Sequence, residues 1–159
     1  MKPADIECLR RIKDTYGPLI DEAAELWGHR PEVLAGIMMR ESRGKRPEIV
    51  SPDGHDYGLM QINDRTAPLH ISSGDWKDPK KNIQCGAHVL AMKRQFLIKK
   101  VDDLGLLIER AAIAAYNCGE GNVWKAIKNN EDIDSRTTGK DYSRAVLEYA
   151  EAYRNVELA

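Results

Sequence analysis

The sequence predicts a mostly helical domain with a minimal β-hairpin, on three observations. Apolar residues recur at three-to-four spacing along residues 31–43, 79–100 and 142–153, the period of helices that bury one face. Leu104 to Tyr116 is apolar on nearly every side, which describes a helix enclosed by others. The turn-forming stretch from Lys45 to Thr66 holds one short apolar piece, Tyr57-Gly-Leu-Met-Gln-Ile62, enough for a small hairpin. At 159 residues the chain, taken as one unit over 1–159, is long enough for a single sizeable core.

Taken in order, Leu9, Ile12, Tyr16, Leu19, Ala23 and Trp27 form a helical stripe interrupted by Gly17-Pro18, so two short helices or one kinked helix are expected. Pro31 suits a first helical turn and Gly44 the residue just past a helix end, which brackets a second helix ending near Arg43. Asp78-Pro79 marks the start of a helix running to about Lys100, with Cys85, Val89, Met92 and Phe96 as its core stripe. The segment Leu104–Tyr116 is the expected central helix, ended by Gly119 and Gly121. A short helix follows over Asn122–Lys128, then a polar turn region to Gly139. The last helix carries Tyr142, Val146, Tyr149 and Tyr153 on one face.

Charge and composition exclude some classes. The net charge of −1 provides no basic field to gather nucleic acid or an anionic membrane. No apolar run is long enough to span a bilayer, and the amino terminus lacks the hydrophobic segment of a secretory signal. Cys8, Cys85 and Cys118 are far apart without a CxxC pair, so they read as reduced, mostly buried thiols and not as disulfides or zinc ligands. Asp53, His55 and Asp56 stand close together, but calcium-loop spacing is absent and Pro52 with Gly54 explains the segment as a turn. No metal or cofactor is implied.

Glu41 is the residue that asks for an explanation. Val33, Leu34, Ile37 and Met38 form an apolar stripe, and Glu41 falls on the same face in the last turn. Apolar neighbours and the negative end of the helix dipole both disfavour its ionised form, raising its pKa as a general acid requires. The rival reading is a salt-bridged helix-end glutamate held by Arg40 or Arg43.

Four segments then fall in order: Arg40-Glu-Ser-Arg-Gly44; Tyr57-Gly-Leu-Met-Gln-Ile62; Ala114-Ala-Tyr-Asn-Cys-Gly-Glu-Gly-Asn-Val123; and Asp141-Tyr142 opening a helix with Val146. Their order and spacing resemble the goose-type lysozyme and lytic transglycosylase family, glycoside hydrolase family 23, over roughly residues 30 to 153. The resemblance implies a lysozyme-like α+β fold, with the hairpin beside a cleft that binds peptidoglycan glycan strands. It implies that Glu41 is the acid that protonates the bond between N-acetylmuramic acid and N-acetylglucosamine. Gln61, Tyr116 and Asn117 are placed beside the sugars, with Tyr57 and His55 as cleft-edge candidates. Read alone, Gln61 is an ordinary strand-end residue, Tyr116 a core aromatic and His55 a solvated loop residue. Tyr142 resembles the family tyrosine that hydrogen-bonds near the acid, though packing alone also explains it.

The family pattern has an aspartate upstream of Gly-Leu-Met-Gln. Asp53 fits it if this loop is one residue shorter, and Asp56 is the competitor. A further family aspartate after the segment is replaced by Asn63, next to Asp64. Two reactions therefore stay open: inverting hydrolysis through a carboxylate-held water, and transglycosylation in which the same glutamate returns as base to give a 1,6-anhydro sugar. A goose-type chitinase and a non-catalytic glycan-binding module of the same fold are the alternatives. A monomer is expected, acting on the cell wall, whether as a phage endolysin, a delivered effector or a mature secreted antimicrobial enzyme.

Overall fold

The computed structural model describes residues 1–158. Helix α1 spans Pro3–Trp27 and α2 Pro31–Glu41; strands β1 (Asp56–Tyr57) and β2 (Ile62–Asn63) form an antiparallel hairpin. Short α3 (Pro68–Ser72) leads to α4 (Pro79–Lys100), followed by α5 (Leu107–Cys118), α6 (Glu120–Lys128) and α7 (Tyr142–Asn155). The mostly helical architecture with its two-stranded sheet matches the expected class.

Of the two expectations, two short helices or one kinked helix, the first is excluded: α1 is one helix that runs through Pro18. Ile12 and Tyr16 before the proline and Ile20 and Ala23 after it are buried on one face, and this packing outweighs the one lost backbone bond. Helix α2 ends two residues earlier than expected, at Glu41, and the chain turns away through positive φ at Arg43 and Gly44. A Cβ on Gly44 would lie 2.6 Å from Ile12 Cγ1, so only glycine lets this turn sit on α1.

The inward face of α4 is a correction. Of the expected stripe, Val89 is buried, Cys85 and Phe96 are half-buried and Met92 is 44% exposed. Ile83, Ala87, Leu90 and Leu97 face the core instead. Helix α4 carries apolar residues on two faces, and its packing against α1 and α5 decides which one is buried. The short helix α3 and the buried Trp76 lie in a stretch for which the sequence predicts no element. Among the cysteines, all free, Cys8 is buried and Cys85 and Cys118 are half-buried.

Helix α5 is central: Ala111 through Ala115 are all buried, with α4, α6 and α7 packed around it. The tightest helix contact is between α2 and α7, where a Cβ on Gly36 would come within 2.5 Å of the Val146 carbonyl oxygen. That approach sets the height of α7 over α2, and with it Tyr142 over Glu41. Gly36→Ala is therefore expected to cost about 1–3 kcal/mol, seen as a lower urea midpoint.

Candidate active site

Glu41 lies at the foot of an open cleft of about 230 Å³, lined also by Asp56, Gln61, Asn63, Tyr116 and Asn117. The end of α2 delivers Glu41, the hairpin delivers Asp56, Gln61 and Asn63, and the end of α5 delivers Tyr116 and Asn117. Burial pushes the Glu41 carboxyl up from its ordinary 4.5 to about 7. The Tyr142 hydroxyl, donating to Glu41 Oε2 at 2.9 Å, opposes the rise; the charge of Asp56 adds to it and Arg40 subtracts. Desolvation wins, so the acid holds its proton near neutral pH.

The salt-bridge reading of Glu41 fails on geometry. Arg40 donates to Asp141 Oδ1 and to the Thr138 carbonyl, both at 3.1 Å, and its guanidinium lies over the Tyr142 ring. Arg43 reaches Asp5 at 2.9 Å. Neither arginine forms an ion pair with Glu41 among the described residues.

The hairpin separates the two aspartates. In the register Asp56 faces Asn63, whose Nδ2 donates to Asp56 Oδ1 at 3.0 Å, and both line the cleft. Asp53 is exposed outside that lining, accepting from Ser51 Oγ at 2.6 Å and the His55 backbone N–H at 3.0 Å. These bonds hold its carboxyl below the usual range. Tyr57, next to Asp56 on β1, points to the opposite face of the strand. It packs edge-on against Trp76 and donates to the Gly54 carbonyl. His55 pairs with Asp64 at 3.0 Å, also away from the cleft lining. Asp53, His55 and Tyr57 are thus not brought to Glu41, whereas Asp56, Gln61, Tyr116, Asn117 and Tyr142 are.

The retained residues also brace the site. Tyr116 donates its hydroxyl to the Met60 carbonyl at 2.6 Å, tying α5 to the hairpin turn while its ring lines the cleft. Gln61 sits at φ 48 and donates its amide nitrogen to the Gly58 carbonyl at 2.9 Å. Asn117 clamps Thr138 twice, accepting from its N–H at 2.8 Å and donating to its hydroxyl at 3.3 Å.

Sequence reasoning missed Asn82, fully buried on α4. It accepts from the Met60 N–H at 2.8 Å and donates to the Tyr57 and Trp76 carbonyls. It also missed the Lys93–Glu120 pair at one end of the cleft. A buried asparagine among Ile83, Gly86 and Ala87 is a signal that periodicity alone passes over. Among the described residues, no group of three His, Cys, Asp or Glu side chains is arranged to hold a metal ion.

A helical fold that shelters one protonated carboxylic acid in an open cleft with a second carboxylate is the arrangement of a glycoside-cleaving enzyme. The Transglycosylase SLT domain family matches residues 18–138. The chain is 31% identical to Lysozyme g of Takifugu rubripes over 155 residues, covering 89% of this chain and 75% of that one. It is 31% identical to Lysozyme G of Dromaius novaehollandiae, covering 91% and 68%. With the Endo-type membrane-bound lytic murein transglycosylase A of Enterobacter sp. (strain 638), identity is 26%, covering 71% and 59%. The chain belongs to the goose-type lysozyme and lytic transglycosylase family, a family of glycosidases and lytic transglycosylases.

Two measurements follow from the buried acid. Tyr142→Phe removes a hydrogen bond that favours the ionised form, so the Glu41 titration midpoint is expected to move above about 7, read by carboxyl-carbon NMR. Glu41 keeps its proton to about pH 7 when folded and releases it near 4.5 when unfolded. Between those values the folded state binds more protons, so stability is lost as pH rises through the window, on the order of 3 kcal/mol in full. Glu41→Gln is expected to raise the melting temperature above pH 7 and leave it nearly unchanged below pH 4.5.

Proposed function

We propose that this chain cleaves the glycan strands of peptidoglycan between N-acetylmuramic acid and N-acetylglucosamine, with Glu41 as general acid. The observation that carries the reading is a carboxyl held protonated to about pH 7 in a cleft that Asp56 also lines. The names of the relatives, lysozyme and lytic murein transglycosylase, support the same substrate and a site of action in the cell wall, periplasmic or extracellular.

In the proposed step, Glu41 gives its proton to the glycosidic oxygen as that bond to the anomeric carbon breaks. The departing strand leaves with a new hydroxyl, and positive charge develops on the ring. Asp56, steadied by Asn63, holds a water on the far face and takes its proton as the oxygen bonds to the anomeric carbon, inverting it. Asn63 stands where the family pattern has an aspartate, and Asp56 is its partner across the hairpin. The carboxylate sits on the neighbouring strand but in the same cross-strand pair, which supports Asp56 as the residue that holds the water.

A second reading is favoured by the Transglycosylase SLT match and the transglycosylase relative. There Glu41, now ionised, takes the proton of the muramic acid 6-hydroxyl. That oxygen then bonds to its own anomeric carbon, giving the 1,6-anhydro sugar without water. Mass spectrometry of released muropeptides separates the two, because the products differ by one water. Under the first reading, wild type gives reducing ends. Asp56→Asn lowers that product roughly 10²-fold or more, and Glu41→Gln abolishes cleavage altogether. Anhydro ends from wild type, unaffected by Asp56→Asn, would establish the second reading. Clearing of purified cell walls by Glu41→Gln at the wild-type rate would remove both. Faster turnover of chitin oligomers than of peptidoglycan would move the substrate to chitin.

A further inference from the structure

The end of the molecule where α4 passes into α5 carries a feature that the cleft does not use. Leu106 is 99% exposed and its neighbour Leu107 50%, and Ile98, which lines a shallow depression with Gly105, is 44% exposed. Asp103 (φ 51) and Gly105 (φ 55) turn the chain twice within three residues and push Leu106 outward. Folding leaves this side chain in water, an exposure that an apolar contact surface explains and core packing does not.

The surroundings are cationic and aromatic. Arg94, Lys99, Lys100, Lys125 and Lys128 are exposed and have no ion-pair partner among the described residues. The nearby acids on α5 and α6 and just beyond are already engaged: Glu109 by Arg30, Glu120 by Lys93 and Glu131 by Arg136. Among the described residues at this end, Asp102 and Asp103, in the turn itself, are the acids without an ion pair, against five cations. Lys100 bridges half-exposed Trp124 and Phe96, its Nζ 5.3 Å and 5.8 Å from their ring centroids, and Lys128 lies over Trp124 at 3.8 Å. The overall charge of −1 hides this segregation, so the expectation drawn from net charge alone does not apply to this end.

We propose that this tip is a peripheral docking surface for anionic phospholipid. Leu106 and Leu107 enter the headgroup boundary, Trp124 and Phe96 lie at its level, and the unpaired cations meet lipid phosphates. Exposed aliphatics beside unpaired lysines and a half-exposed tryptophan are what such a surface needs: the aliphatics meet the acyl boundary, the tryptophan the headgroup level and the cations the phosphates. No helix among the described residues is long and apolar enough to cross a membrane, and the proposal asks for surface contact only. The geometry leaves the cleft free: α5 runs from Leu107 at the tip to Tyr116 in the cleft, about 14 Å along its axis. The inference stands apart from the proposed cleavage reaction.

Co-sedimentation of the whole chain with phosphatidylcholine–phosphatidylglycerol vesicles, and with pure phosphatidylcholine vesicles, tests it. Mixed vesicles are expected to retain the protein at low salt and release it as salt rises, with far less retained by pure phosphatidylcholine. Leu106→Asp is expected to weaken retention about tenfold or more without lowering the melting temperature, since the side chain is already in water. Lys99→Gln with Lys100→Gln is expected to weaken retention and flatten its salt dependence. Failure of wild type to bind mixed vesicles overturns the proposal, as does retention that Leu106→Asp leaves unchanged. A Leu106-dependent dimer in sedimentation velocity, with no vesicle binding, would overturn it in favour of a second copy of the chain.

Discussion

The structure is arranged around the cost of desolvating one carboxyl, that of half-buried Glu41. Glu41 ends a helix whose residues Val33 through Met39 are all buried, so the element that carries the acid cannot turn to release it into solvent. An isolated carboxylate in such a place either neutralises or finds a cation. The two arginines beside it in sequence are drawn off to Asp141 and Asp5, which leaves neutralisation as the outcome. The Tyr142 hydroxyl tempers this shift and fixes the direction of the carboxyl without cancelling its charge cost.

Tyr142 is placed by a chain of contacts that ends far from the cleft. Helix α7 begins at Tyr142, and its first free N–H groups are met by a residue from well upstream. Asp134, fully buried, accepts from the Ser143 N–H at 2.9 Å, the Ser143 hydroxyl at 2.7 Å and the Arg144 N–H at 3.3 Å. Burial alone would raise its pKa, but these bonds and Arg110 hold it below the ordinary value, so it stays charged at the positive end of the helix. Asp141, the nearer acid, is thereby free to pair with Arg40. Two desolvated carboxyls with opposite protonation states thus share one helix start: the fully buried, ionised Asp134 anchors it and the half-buried, neutral Glu41 receives its tyrosine.

The helices were legible because burial repeats at 3.6 residues: Val33, Leu34, Ile37 and Met38 marked α2, the alanine run marked α5, and Tyr142, Val146 and Tyr153 marked α7. Periodicity could not choose between two apolar faces of α4, since that choice belongs to the neighbours. It was equally blind to Asn82, whose value lies in three bonds to a loop distant in sequence. In the site, the burial of Glu41 was readable, but the fate of Arg40 and Arg43 depended on Asp141 and Asp5, about a hundred residues ahead and some forty behind. Asp53 and Asp56 could not be separated until strand register put Asp56 opposite Asn63 and left Asp53 in an exposed turn.

The hairpin itself shows why the cleft wall is built from polar bonds. Two strands of two residues each have no stability of their own in water. Its turn is held from three sides: Ser42 donates to the Leu59 carbonyl at 2.7 Å from the end of α2, Asn82 binds from α4, and Tyr116 reaches Met60 from α5. Gly58 and Gly86 make room, since a Cβ at Gly58 would meet Asn82 Nδ2 at 2.2 Å and one at Gly86 would meet Met60 at 2.9 Å. Two of the helices that carry Glu41 and Tyr116 therefore also fix the strand pair that carries Asp56. The spacing of the two carboxyls across the cleft follows from helix packing, and a loop of this size need not be rigid by itself to keep it.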